Sequence, residues 1–340
     1  MNRICELDVI KCFAIFWVIL THSVFYLFDS CRQISELYFY AFGFGLATFA
    51  WTSGYILGLK AYHPETSTAA TIRQFARNTY TNFLHLLLPA AILIYIDMVI
   101  SRDYYIFCFL SFQKYYYVGA LFSMLLINDL VRCFTRNNRK LYITIMILLS
   151  VISMAFLALI SGKHDCNIYF ILDSREGLFF FPFFTMGIIC GLFKQRFNAL
   201  IHSTSFLVAI SCLFITSVIG LRIIFSSGDN LEHINSSALR QFLMFLCPIF
   251  AATIIFRYYN IFYRKCQYIA RFLTFIGRHT LAIYLLHWYT NSWPKTAIEC
   301  LPTTNGIVLA IVAVAVATTS ATICAFAAIG LRKLIPSKKI

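Results

Sequence analysis

Two ionisable residues in the first apolar stretch, Lys11 and His22, have types and a spacing that could do chemistry. An α-helix turns by about 100° per residue, so the eleven-position step between them is ~1100°, only ~20° beyond three full turns. On a helix both side chains share one face, and they sit roughly 16 Å apart along the axis at ~1.5 Å per residue. An imidazole is a serviceable general base near neutral pH. An ammonium three turns away could hold an anionic ligand. Each residue also has a plainer reading. His22, flanked by Thr21 and Ser23, could be a hydrogen-bonding group between helices. Lys11 could snorkel to a membrane surface or pair with Asp8, one turn earlier.

The elements that must position these groups are apolar helices. The chain has 340 residues, of which 60% are hydrophobic and 12% charged, and its mean hydropathy is +0.75. Soluble domains carry about 25% charged residues and few long apolar runs. Repeated runs of this length predict an all-α polytopic membrane protein, with the bilayer as its first partner. The spacing predicts ten spans, at about 9–28, 38–59, 83–100, 115–131, 141–161, 177–193, 203–225, 240–257, 269–289 and 306–329. The segment Tyr104–Phe112 is also apolar and could be a partial or re-entrant piece beside the fourth. Glu6, Asp8 and Lys11 interrupt the first span and no small-residue cleavage site follows, so it reads as a retained helix rather than a removed signal. No soluble domain is apparent, and residues 1–340 read as one integral-membrane domain.

The net charge of +14 does not point to nucleic acid. With the N-terminus in the cytoplasm, twenty of the 28 basic residues fall on the inner side of the ten predicted spans. That is the bias expected of a multi-pass inner-membrane chain with both termini cytoplasmic. Most of the twelve cysteines lie in or beside spans and no pair has metal-ligand spacing, so no metal is expected. Cys31, Cys166 and Cys300 fall on the predicted outer side, where a disulfide could form.

Other polar residues complete the set. In the ninth span Thr280, Tyr284, His287 and Asn291 are spaced by four, three and four, which puts them on one helix face. Polar groups facing lipid are disfavoured, so this stripe is expected to point into the bundle. It could bond helices together, or Tyr284 and His287 could donate to an acceptor or a developing oxyanion. His287 lies toward the outer end of its span and His22 past the middle of its own, so the two could approach. Between Lys60 and Asn82, a second half from Ala69 to Thr81 could form an interfacial helix carrying Arg73 and Arg77 at i, i+4. A carboxylate orienting His22 would come from Asp97, Asp103, Asp173 or Glu176.

Leu7-Asp8, Lys11, Ala14-Ile15 and His22 together resemble the first span of the membrane acyltransferase-3 family, whose pattern is a basic residue, ten others and then His. Ser53-Gly54-Tyr55 is similar to its Ser-Gly-aromatic turn. Phe179 to Phe184 followed by Gly187 and Gly191 resembles its sixth-span region. Ile276-Gly277-Arg278-His279-Thr280-Leu281-Ala282-Ile283-Tyr284-Leu285-Leu286-His287 resembles its ninth span. The chain departs from the family at the start of the third span, where Asn82 and His85 stand in place of an Arg-x-x-Arg pair. Either Arg73 and Arg77 take over or the chain is a divergent branch. Tyr117-Val118 likewise replaces a Trp-Phe pair.

The resemblance implies a bacterial inner-membrane O-acyltransferase. Its donor would be a cytoplasmic acyl-CoA, chiefly acetyl-CoA, and its acceptor a hydroxyl of a surface polysaccharide or a lipid-linked sugar precursor. His22 would then be the general base, with His287 and Tyr284 beside it, while Lys11, Arg73 and Arg77 meet the donor phosphates. Succinyl transfer would change only the donor. The competing reading is a carrier that moves a glycan or acyl intermediate without chemistry.

Overall fold

The computed structural model describes residues 4–25, 44–60, 68–101, 116–135, 138–160, 175–226, 238–290, 296–297, 300–301 and 306–334. Among these the chain is helical, with no strand. Among the described residues, three helical stretches are long and apolar enough to cross a membrane: Ile72–Ile100, Tyr117–Thr135 and Phe242–Lys265. Two bent helix pairs bring the number to five if each counts as one span.

The described residues divide into two compact units, Met1–Phe49 with Asn198–Ile340, and Ala50–Phe197. In the first, helix α1 (Cys5–Phe25) is the hub. Its apolar residues Leu7, Val9, Ile10, Ala14, Ile15, Val18 and Ile19 are buried on more than one side, as expected of a helix enclosed by others. Helix α2 (Phe44–Leu59) begins against it, close enough that a Cβ on Gly45 would sit 2.8 Å from the Val18 side chain.

The second unit, which takes in the rest of α2, contains α3 (Thr68–Asn82), α4 (Leu88–Ser101), α5 (Tyr116–Thr135), α6 (Arg139–Ile160) and α7 (Arg175–Leu192). Two of the motifs singled out above meet here. Gly54 and Gly58 of α2 face Gly187 and Gly191 of α7, and a Cβ on any of the four would run into backbone of the opposite helix. Small residues at this spacing let two helices cross at backbone contact, which replaces hydrophobic driving force by close packing in a membrane.

The helix carrying Arg73 and Arg77 does form, but it is not a separate interfacial piece. It passes through a π-helical turn, Phe83–Leu87, into α4. Pro89 accounts for the turn: it has no N–H to give the carbonyl of His85, and its ring needs room there, which a wider turn supplies. The Leu88 N–H accordingly bonds the Phe83 carbonyl. The segment Tyr104–Phe112 lies outside the described residues, as do Cys31 and Cys166; Cys300 is an exposed free thiol.

The first unit continues with α8 (Lys194–His202), which begins at the edge of the second, then α9 (Thr204–Ser226), α10 (Ala238–Lys265), α11 (Gln267–Arg278), α12 (Thr280–Thr290) and α13 (Gly306–Leu334). The predicted ninth span is therefore not one helix. It breaks at His279 (φ −106°, ψ 14°), and α11 and α12 meet at 68°. The His279 N–H bonds the Ile276 carbonyl at 3.0 Å, closing α11 with a tight turn, while its own carbonyl receives the Ile283 N–H at 2.9 Å and starts α12. Helix α1 packs against α10, α11, α12 and α13.

Candidate active site

The site is built on α1. That helix is unbroken from Cys5 to Phe25, so Lys11 and His22 keep the register that their spacing predicts.

At one end, Asp8 is buried, with 3% of its side chain exposed. Lys11 Nζ lies 3.4 Å from one of its carboxylate oxygens, and Arg278 Nε lies 3.7 Å from the other. The pairing of Lys11 with Asp8 is thus the plainer of the two expectations, and it is present. Arg278 reaches this point because α11 presses on the first turns of α1. Ala270, Thr274 and Gly277 lie four and three residues apart on one buried, small-residue face of α11. A Cβ on Gly277 would collide with the backbone of Asp8. Val9, Tyr259 and Ala270, with Cys5, Ile255, Phe262, Tyr263 and Leu273 around them, pack the same junction.

Three turns along, the rings of His22 and His287 are 5.3 Å apart at 35°. His22 is half-buried; His287 is 3% exposed and Tyr284 5%. The Tyr284 and His287 rings are 5.4 Å apart. His287 Nδ1 is 2.5 Å from the Tyr284 carbonyl oxygen, one turn back on α12. A carbonyl only accepts, so Nδ1 carries the proton, and in the neutral ring Nε2 presents a lone pair. Just beyond, Thr290 donates to the His287 carbonyl at 3.0 Å and also bonds Ser320 of α13. The polar stripe of the ninth span does face inward: Thr280, Tyr284 and His287 are buried. Asn291 lies outside the described residues, and Thr290 occupies the next inward polar position on α12.

Arg73 and Arg77 belong to the second unit, where both are exposed on α3. Of the carboxylates considered as partners for His22, Asp97 lies on α4 and Glu176 in the first turn of α7, both in that unit; Asp103 and Asp173 are outside the described residues. Among the described residues of its own unit, the imidazole of His287 stands beside His22.

A second buried polar cluster escaped the sequence reading. In α5, Asn128 and Asp129 are both buried. The Tyr142 hydroxyl donates to Asn128 Oδ1 at 2.6 Å, and Asn128 Nδ2 donates to Asp129 Oδ1 at 3.0 Å. Asn78 of α3 also hydrogen-bonds the Asp129 carboxylate, and the charges of Arg132 and Lys60 act on it. Gln74 in turn donates to Asn78 Oδ1 at 2.8 Å, and Arg132 donates to the Leu57 carbonyl at 3.1 Å. One carboxylate thus ties together α2, α3, α5 and α6. The signal was available: an acidic residue inside a predicted span is expensive and needs a reason.

An acyltransferase-domain family model, that of acyltransferase-3, matches residues 5–328. This chain belongs to that family. The match begins at the first residue of α1 and runs into α13, so it takes in both histidines, the Asp8 cluster and the glycine crossing of the second unit. The protein is an acyltransferase with apolar, membrane-type helices. No curated protein and no solved structure matches the chain.

Proposed function

We propose that this acyltransferase moves an acyl group, chiefly acetyl, from cytoplasmic acyl-CoA to a hydroxyl of a cell-surface polysaccharide or its lipid-linked precursor. The observation that carries the reading is the meeting of His22 with His287, three turns along α1 from Lys11. Such a polar pair inside an apolar bundle is costly unless it is used. Its separation from Lys11, roughly 16 Å along the axis, is on the order of the reach of a pantetheine arm. The setting is a ten-span chain in the bacterial inner membrane with both termini cytoplasmic, supported by the excess of basic residues in the inner loops.

In the reaction, the acceptor hydroxyl oxygen attacks the thioester carbonyl carbon while His22 takes the hydroxyl proton. The C–S bond then breaks, and the protonated His22 returns the proton to the leaving thiolate. General-base help of this kind contributes typically 10²–10⁴-fold. His287 holds its Nδ1 proton on the Tyr284 carbonyl, so its neutral ring keeps a buried acceptor nitrogen, Nε2, and a protonated ring would make it a donor. The Tyr284 ring closes one side of the imidazole pair. Lys11 meets the donor phosphates, and Arg73 and Arg77 of the second unit are proposed to contribute to donor affinity.

The test compares membranes from cells making wild type or His22→Ala at equal protein levels, with acetyl on the surface glycan read by mass. Acetylation is expected with wild type and absent with the substitution. Unchanged acetylation would remove His22 from the mechanism.

A further inference from the structure

We infer that Arg278 is a ligand for the donor's phosphates, acting with Lys11 across the shared carboxylate of Asp8. The inference rests on the acyl-CoA reading above and adds a residue to its donor site. Asp8 offers one oxygen to an ammonium and the other to a guanidinium, so two cations meet at one buried carboxylate. Both contacts are long, 3.4 and 3.7 Å, so the carboxylate gathers the two cations loosely. Arg278 meets Asp8 through Nε, the inner nitrogen. Its two terminal nitrogens carry four further N–H groups, in the planar fork that suits phosphate oxygens. The side chain is 47% exposed and that of Lys11 is 23% exposed, whereas Asp8 beneath them is buried. An anion arriving from solvent therefore meets the cations first.

The position is also rigid. Gly277, the preceding residue, is pressed against the Asp8 backbone, and the chain turns by 68° directly after Arg278. That fixes the root of the arginine beside the first turns of the helix that carries His22. Asp8 is then a positioning residue, and Arg278 and Lys11 are the groups that touch the ligand. The ligand class is a phosphorylated, nucleotide-bearing thioester; a phospholipid headgroup offers the same phosphate chemistry, and the experiment separates the two.

Purified wild type, Arg278→Ala and Arg278→Lys are assayed with acetyl-CoA and with S-acetylpantetheine, which lacks phosphate, in neutral detergent with and without phosphatidylglycerol. Arg278→Ala is expected to raise KM for acetyl-CoA about tenfold or more, the loss of a charged hydrogen-bonding partner. It should leave kcat and the KM for S-acetylpantetheine near wild type, with Arg278→Lys between the two. An unchanged KM for acetyl-CoA, or equal losses with both donors, would overturn the assignment. So would an effect confined to the samples with phosphatidylglycerol, which would give the residue to a lipid phosphate. A wild type that uses both donors with the same KM would overturn the donor-site reading itself. A wild type that prefers acetyl-CoA alongside an unaffected Arg278→Ala would overturn only the inference about Arg278.

Discussion

Each unit of the molecule buries one carboxylate among cations, and the two are held in different ways. Asp129 is enclosed by amides and a hydroxyl, from Asn128, Asn78 and, one step removed, Tyr142, with Arg132 also bound to a backbone carbonyl. Asp8 has its cations, Lys11 and Arg278, at long range and partly in solvent. A carboxylate satisfied by neutral donors from several helices is a structural knot, because breaking it strands buried partners on each of them. A carboxylate whose cations stay partly in solvent costs less to lose. The comparison gives the Asp129 cluster a role in stability and is consistent with the proposed role of the Asp8 cluster in ligand recognition.

The largest effects should come from the packing that both clusters depend on. Gly54→Val in the second unit and Gly277→Val in the first each drive a side chain into the backbone of a neighbouring helix. Neither variant is expected to accumulate as folded protein, read by size-exclusion profile in detergent; a monodisperse Gly277→Val would break the account of how Arg278 is fixed.

Next, Asp129→Ala should lower stability by about 3–5 kcal/mol, the cost of removing one member of a buried charged network. Asp8→Ala should cost about 1 kcal/mol or less, because its partners remain hydrated. Thermal unfolding of the purified variants checks the pair, and equal losses would erase the distinction drawn here. Tyr142→Phe, which removes one buried donor from Asn128, should cost about 1–2 kcal/mol and leave the donor KM unchanged. The smallest structural effect belongs to Arg73→Ala with Arg77→Ala. Both side chains are exposed, so unfolding should not move, while binding of acetyl-CoA measured by calorimetry should weaken. If affinity is untouched, those arginines serve only to set topology.

Within the imidazole pair, His287→Ala should cost more activity than Tyr284→Phe. The bond that orients His287 comes from the Tyr284 main chain, which the substitution leaves in place. Glycan acetylation at matched protein levels reads the difference, and the opposite order would return the working role to the tyrosine hydroxyl.

Much of this site could be read from residue order. The face shared by Lys11 and His22 follows from helix periodicity within one continuous element, and periodicity is a local property. The inward-facing stripe of Thr280, Tyr284 and His287 was legible for the same reason, since a polar face on an apolar helix must turn away from lipid. The break between α11 and α12 was not legible. It lies two residues after Gly277, whose close approach to the backbone of Asp8 joins positions more than 260 apart in the chain. The continuity of α3 into α4 was not legible because the polar stretch up to Asn82 and the apolar span after it read as two pieces, whereas a π turn accommodates Pro89 without ending the helix.

Residue order by itself determined the helical class and the alignment of one ammonium with one imidazole along a single axis, because both rest on composition and local period, and it carried the resemblance to the family through an ordered set of motifs. Tertiary structure alone decided that Arg278 joins Lys11 at Asp8, that His287 is the neighbour of His22, and that Asn78, Asn128 and Tyr142 gather around Asp129. Those contacts depend on which helix faces come together, and small residues at the crossings permit the approach without naming the polar groups it brings into reach.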